Sequence, residues 1–175
     1  MIRKPSFLLT VSISLLFTAS CFGLSDNDNA LANENFASFI EFLDVRDQVG
    51  LESLFAPGKI SDQLVFQEDC SVLFSYFLGD YVSHEAWGLG TDYSRESGIA
   101  YRSHNMSYDV ATTESVYRMA FLWYVVDERE EDNVGLWSFY IIRYDDDPNQ
   151  SYSYGGDGLW TPGINIGKSY DFTND

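Results

Sequence analysis

Basic side chains are what this chain has least of. Ten lysines and arginines stand against 27 aspartates and glutamates in 175 residues, for a formal net charge of −17. Binding a phosphate backbone requires clustered cations, so nucleic acid is excluded as a partner. The same shortage excludes electrostatic docking on anionic lipid headgroups. A strongly acidic surface instead favours solubility and mutual repulsion. Two cysteines, Cys21 and Cys70, are too few for a disulfide framework. The two histidines, His84 and His104, leave a zinc site short of ligands, because no third ligand stands at a suitable spacing. No metal is therefore expected. G-x-S-x-G, H-E-x-x-H, C-x-x-C and the P-loop are all missing. Gly88-Leu89-Gly90 and Gly156-Asp157-Gly158 each lack the third glycine of a dinucleotide fingerprint, so no cofactor is expected either. The longest apolar stretch falls short of the roughly 20 residues that span a bilayer.

What is present begins at the N-terminus. Arg3 and Lys4 precede an apolar run, residues 7–20 (FLLTVSISLLFTAS), and the pair has the form of an export signal. Ala19-Ser20-Cys21 then resembles the lipobox of bacterial lipoproteins, whose cysteine is acylated and becomes the mature N-terminus. Thr18 departs from the leucine usual in that pattern. Ala30-Leu31-Ala32 before Asn33 offers an ordinary cleavage site instead, which would release a secreted chain. The expected organisation is a signal peptide over 1–20, a flexible tether over 21–35 and one domain over 36–175. Either processing route leaves Cys70 alone. Glu68 and Asp69 beside it would raise its pKa, so it reads as a small buried apolar residue rather than a nucleophile.

The front half of the domain has helical spacing. Asn35 is placed to cap a helix carrying Phe36, Phe39, Ile40 and Leu43 on one face. Gly50 interrupts, and Leu51, Leu54 and Phe55 make a short apolar turn before Ala56-Pro57-Gly58. A third helix is predicted after Ser61 or Asp62, burying Phe66, Cys70, Leu73, Phe74 and Phe77, with Gly79 as a left-handed terminator. The back half reads as strands. Over residues 99–111, Arg102, His104, Met106, Tyr108 and Val110 share a face. Residues 115–127 (SVYRMAFLWYVVD) are apolar on both faces and predict a central strand, and residues 135–144 (GLWSFYIIRY) are of the same kind. A shorter strand is expected around residues 79–89. Helices followed by an antiparallel meander give an α+β fold.

Four stretches narrow this further: Ser107-Tyr108-Asp109-Val110, Tyr117-Arg118, DNVGLWSFYII (132–142) and GDGLWTPGINI (156–166). Together they resemble a family of bacterial lipoproteins of unknown function, common in Firmicutes, with an NTF2-like (cystatin-like) domain. The resemblance spans residues 36–166. It implies helices packed on a curved antiparallel sheet, in a cone, and a place in the cell envelope. It implies no activity.

Arg118 is the chemically distinctive residue. It interrupts an apolar strand, and a buried guanidinium demands an anionic partner. Asp109 across the hairpin is the structural choice, and a ligand carboxylate the functional one. Catalytic NTF2-like enzymes use a His with an Asp inside the cone, so His104 with Asp109, or His84 with Glu85, would be the acid–base candidates. A lone histidine on such a strand more often serves as hydrogen-bonded structure. Trp87, Trp123, Tyr124, Trp137 and Tyr140 form either a pocket wall or the core. Asp145-Asp146-Asp147 lacks calcium-loop spacing and reads as a solvated turn. In YGGDGLWTPGINIG (154–167), turns at 155–158 and 161–163 lay Trp160 against the fold and leave Asp157 at a rim.

The residues expected at a ligand site are thus His84, His104, Arg118, Trp123, Tyr140, Asp157 and Trp160, with Cys21 as the lipidation site and no catalytic residue assigned. The expected function is non-catalytic binding of a small ligand or an envelope protein by a lipid-anchored domain. A small hydrolase or dehydratase using a histidine is the alternative. The open sheet face also offers a surface for homodimerisation.

Overall fold

The computed structural model describes residues 26–60, 62–147 and 159–168. Among them are three α-helices, α1 (Asp26–Asp44), α2 (Gln48–Leu54) and α3 (Gln63–Tyr76). Five strands follow: β1 (Tyr81–Glu96), β2 (Ile99–Thr112), β3 (Val116–Asp127), β4 (Gly135–Arg143) and β5 (Gly163–Ile166). They lie in the order β1-β2-β3-β4-β5, the first four antiparallel and β5 parallel to β4. The fold is therefore α+β, with a mixed, curled but open sheet.

The helices cover one face of the sheet, here called inner. Alternation along β2 and β3 sends His104, Met106, Tyr108, Val110, Tyr117, Met119, Phe121 and Trp123 to that face, where all are buried. Phe39 of α1 packs edge-on to Phe121, with ring centroids 5.0 Å apart, and lies 4.5 Å from Phe139. Phe36 stacks on Tyr108 at 3.8 Å. From α3, Phe66, Cys70 and Leu73 complete the layer. Cys70 has no solvent exposure, and burial, then the charges of Asp69 and Glu52, push its thiol up to about 12. It is a packed apolar group, not a thiolate.

Three boundaries differ from the sequence expectation. Asn35 caps nothing: α1 starts at Asp26, so much of the stretch read as a tether is helical, and Ala32 is buried in the core. Gly50 lies inside α2 rather than interrupting. Its N–H donates to the capping carboxylate of Asp47 at 3.0 Å, and a Cβ there would run into the Phe42 ring. The strand expected to be short is the longest, since β1 runs 16 residues and pairs with β2 along its length.

Other local readings hold. Asp62 caps α3 through the N–H groups of Leu64 and Val65. Gly79 has φ +80, and a side chain there would meet Thr113 and the Glu114 backbone. Tyr117 ties the α3–β1 corner to β3, donating to the Tyr76 carbonyl at 2.9 Å and accepting from the Leu78 N–H at 2.8 Å.

With the helices on the inner face, the outer face is left to side chains of the sheet itself. Over β3 and β4 it is closed by Ala120, Tyr140 and Ile142, against which Trp160 packs. Over β1 and β2 it stays open. That asymmetry positions the site.

Candidate functional site

The outer face of β1 and β2 is built from small and polar residues. Gly88 pairs with Ser107, Gly90 with Asn105 and Asp92 with Ser103 across the two strands. These positions alternate with the core-facing ones, so they line a single face. The result is a groove of about 430 Å³ with a floor at Gly88, Gly90, Asn105 and Ser107, Asp92 at one margin, and walls from Trp87 and Trp160. Its size falls in the roughly 300–1,000 Å³ range of small-molecule sites. Asn105 donates through Nδ2 to Asp92 at 3.0 Å, while its Oδ1 is buried without a hydrogen-bond partner among the described residues. A buried acceptor left unpaired is costly, which favours a small turn of the amide that brings it to a donor.

Trp87 reaches the outer face because the pairing register slips between Ala86 and Gly88. Its indole lies close enough to the Asp109 carboxylate to favour the charged form. Asp109 is the cross-strand neighbour of Arg118 and accepts from its Nε at 3.2 Å. Arg118 also donates through Nη1 to Asp147 at 3.0 Å. The guanidinium lies 4.4 Å from the Tyr144 ring centroid and 5.8 Å from that of Trp87. Burial raises the Asp109 carboxyl above its ordinary value, with Arg118 and Trp87 pulling it partly back. Arg118 thus pairs with Asp109, the partner expected on structural grounds, and lies over the Trp87 ring. Asp147 departs from the solvated turn expected, because its carboxylate is buried against Arg118.

The histidines do not come together. His84 faces Val110 and His104 faces Thr91, which places them six residues apart along β2, or roughly 20 Å. The suggested acid–base partners are also wrong in direction. Asp109 lies on the opposite face from His104, and Glu85 follows His84 on a strand where successive side chains diverge. His84 instead bonds the Tyr81 hydroxyl through Nδ1 at 2.7 Å. It borders a smaller hollow of about 250 Å³, together with Phe36, Ile40, Glu41 and Asp44.

His104 is buried at the other end of α1. Asp28 meets its Nε2 at 3.4 Å and Arg102 Nη1 at 3.3 Å, while His104 Nδ1 lacks a partner among the described residues. Burial lowers the His104 pKa below its ordinary 6.5, with Asp28 opposing that shift. The unfolded chain therefore binds this proton more readily than the folded one. Stability should be full above about pH 6.5 and decline as pH falls below it, until the folded pKa is passed. Urea midpoints measured between pH 5 and 8 check this, with His104→Gln expected to flatten that part of the profile.

Of the remaining expected site residues, Trp123 and Tyr140 are core. The Tyr140 hydroxyl accepts the Thr161 N–H at 2.6 Å, which fixes the segment carrying Trp160. Trp160 itself takes φ +51 and lies 6.1 Å edge-on from Tyr140, laid against the fold as expected, with its other contacts in the groove. Asp157 and Cys21 lie outside the described residues. The sequence reading missed Asp92, Asn105, Ser107 and the two floor glycines. The signal was G-x-G-x-D on β1 opposite N-x-S on β2, a period-two pattern of small polar residues. Among the described residues no group of three or more His, Cys, Asp or Glu could hold a metal ion, and no helix is long and apolar enough to cross a membrane.

None of the curated proteins compared with the chain matches it. A family model does, over residues 38–144, a span that includes both groove strands, Arg118 and the Tyr144 ring, and stops short of Trp160. By that match the chain belongs to the family described as a domain of unknown function, DUF5104.

Proposed function

We propose that the chain is a non-catalytic binding domain of the cell envelope, NTF2-like in fold, anchored through a lipid on Cys21, and that it takes a small ligand in the Trp87–Trp160 groove. One observation carries the binding reading. The groove joins two indole walls to the Asn105 carbonyl oxygen, which is buried and unpaired on the protein's side. A few convergent polar groups between aromatic walls is the common make-up of a ligand site. The NTF2-like reading draws on the helices gathered against one face of a curled sheet. The lipid reading draws on Ala32: ordinary cleavage after it would cut inside α1 and remove a buried core residue.

An enzymatic reading rests on His84 in its hollow beside Glu41 and Asp44. It is the weaker of the two. Catalysis by these groups would need them to converge, yet the histidines are far apart and Arg118 is on the opposite face. The space between helices and sheet is filled by Phe36, Phe39, Phe121 and Phe139.

A thermal-shift screen of the mature chain tests the reading. A ligand held by the native state at 100 times its Kd adds about 2.7 kcal/mol. At this chain length that corresponds to a rise of roughly 5–10 °C. The rise should vanish in Asn105→Ala and survive in His84→Ala. Shifts lost in His84→Ala and kept in Asn105→Ala would move the site to the α1–β1 hollow.

A further inference from the structure

Resting on the groove as the ligand site, we infer that its ligand class is a neutral saccharide, bound by a pyranose ring between Trp87 and Trp160. Three features of the groove select this chemistry.

The first is hydrogen-bond polarity. The groups offered by the floor and margin are mainly acceptors: Asn105 Oδ1, the Asp92 carboxylate and the Ser107 hydroxyl, which can also donate. A fitting ligand must therefore be rich in donors. Hydroxyl groups spaced around a ring meet that demand, whereas an ester or a ketone does not.

The second is charge. Asp92 sits in the groove, and the whole chain carries −17. A phosphate, sulfate or carboxylate ligand would be repelled, and among the described residues no cation lines the groove to receive it. Arg118, the nearest guanidinium to Trp87, is already committed to Asp109 and Asp147.

The third feature separates a neutral ligand from a cationic one, which also donates hydrogen bonds and also favours indoles. Arg118 already lies over the Trp87 ring. The indole face that a cation would take is therefore already occupied by one. A sugar ring brings no charge, and its C–H faces are apolar surfaces suited to flat aromatic walls. The floor accommodates such a ring because positions 88 and 90 are glycine. A Cβ at Gly90 would point into open space, so the groove there is deepened by a missing side chain.

The test is a titration of the mature chain, followed by tryptophan fluorescence. The neutral probes are maltotriose, cellotriose and chitotriose, choline chloride is the cationic probe and triglucuronate the anionic one. At least one neutral trisaccharide should give a saturable change, with choline and triglucuronate silent. Asn105→Ala and Trp160→Ala should each weaken that binding by about tenfold or more, since each removes a contact the sugar would leave unmade. Choline binding with all three sugars silent overturns the saccharide class and leaves the groove as a ligand site. Silence from every probe, while hits from the thermal screen still depend on Asn105, overturns it in the same way. Sugar binding untouched by both substitutions overturns the groove as the place of binding as well. Far-ultraviolet circular dichroism of each variant distinguishes lost binding from lost folding, and Asn105→Ser supplies a milder second variant.

Discussion

Arg118→Ala is expected to destabilise the domain by about 3–5 kcal/mol, the usual cost of removing one partner from a buried ion pair. At this chain length that is roughly a 10 °C fall in melting temperature. The size follows from what remains behind. Asp147 is buried at its carboxylate and Asp109 is largely so, and Arg118 is the cation both are paired with. Without it, Asp147 loses a counter-ion to its buried carboxylate and the half-buried Asp109 loses its cross-strand one. Asp109 already has its carboxyl pushed up by burial, and losing Arg118 removes a cation that pulls it back. Arg118→Met with Asp109→Asn and Asp147→Asn should recover most of the loss, because a neutral set needs no counter-ion. A melting temperature of Arg118→Ala within about 2 °C of the native value would show that the pair is worth no more than a surface contact. The same substitution should loosen the Trp87 wall, since Arg118 lies over the indole, and so weaken ligand binding even where the fold survives.

A chain beginning at Asn33 should be less stable than one beginning at Cys21 by about 2–4 kcal/mol in chemical denaturation. Trimming there removes Asp28, which meets both Arg102 and the buried His104, and it removes Ala32 from the core. The first turns of α1 are therefore structural, although six of the ten residues in DNDNALANEN are aspartate or asparagine, which are poor helix formers. Equal stability of the two chains would remove the structural case against cleavage after Ala32. The mass of the mature N-terminus gives the complementary reading: acylated Cys21 is expected, and an unmodified Asn33 contradicts it.

The contrast between α1 and β3 shows how far the sequence could be read. Residues 116–126 announce a central strand through an apolar run interrupted once, and that one charge, Arg118, announces its own need for a partner. The partner at Asp109 was legible because hairpin pairing is local. Asp147, on a turn far along the chain, was not. The early turns of α1 carry no apolar period and are held in place by contacts with β2, so no local rule reveals them. For β1 the difficulty was different. W-G-L-G-T-D has neither alternation nor β-branched residues beyond Thr91, and its strand lies at the end of the sheet order, where one side of the ladder suffices. The groove inherits both problems. Its residues are individually those of a solvated face, and only the register of β1 on β2, with a bulge at Trp87 and a return of the chain at Trp160, makes them a site.

Histidine was the more visible cue and the less useful one. His104 is buried and meets Asp28 beneath α1. His84 is exposed and bonded to Tyr81. The acidic composition is more informative, because it limits what can enter a groove with no cation among its described lining residues.

Hydrogen–deuterium exchange of the mature chain, with and without a bound ligand from the thermal screen, tests the central claim most directly. Ligand held in the groove should slow exchange at residues 87–92 of β1, at 103–107 of β2 and around Trp160, and leave α1 unchanged. Protection confined to residues 36–44 and 81–84 would place the ligand in the hollow beside His84 and contradict the account.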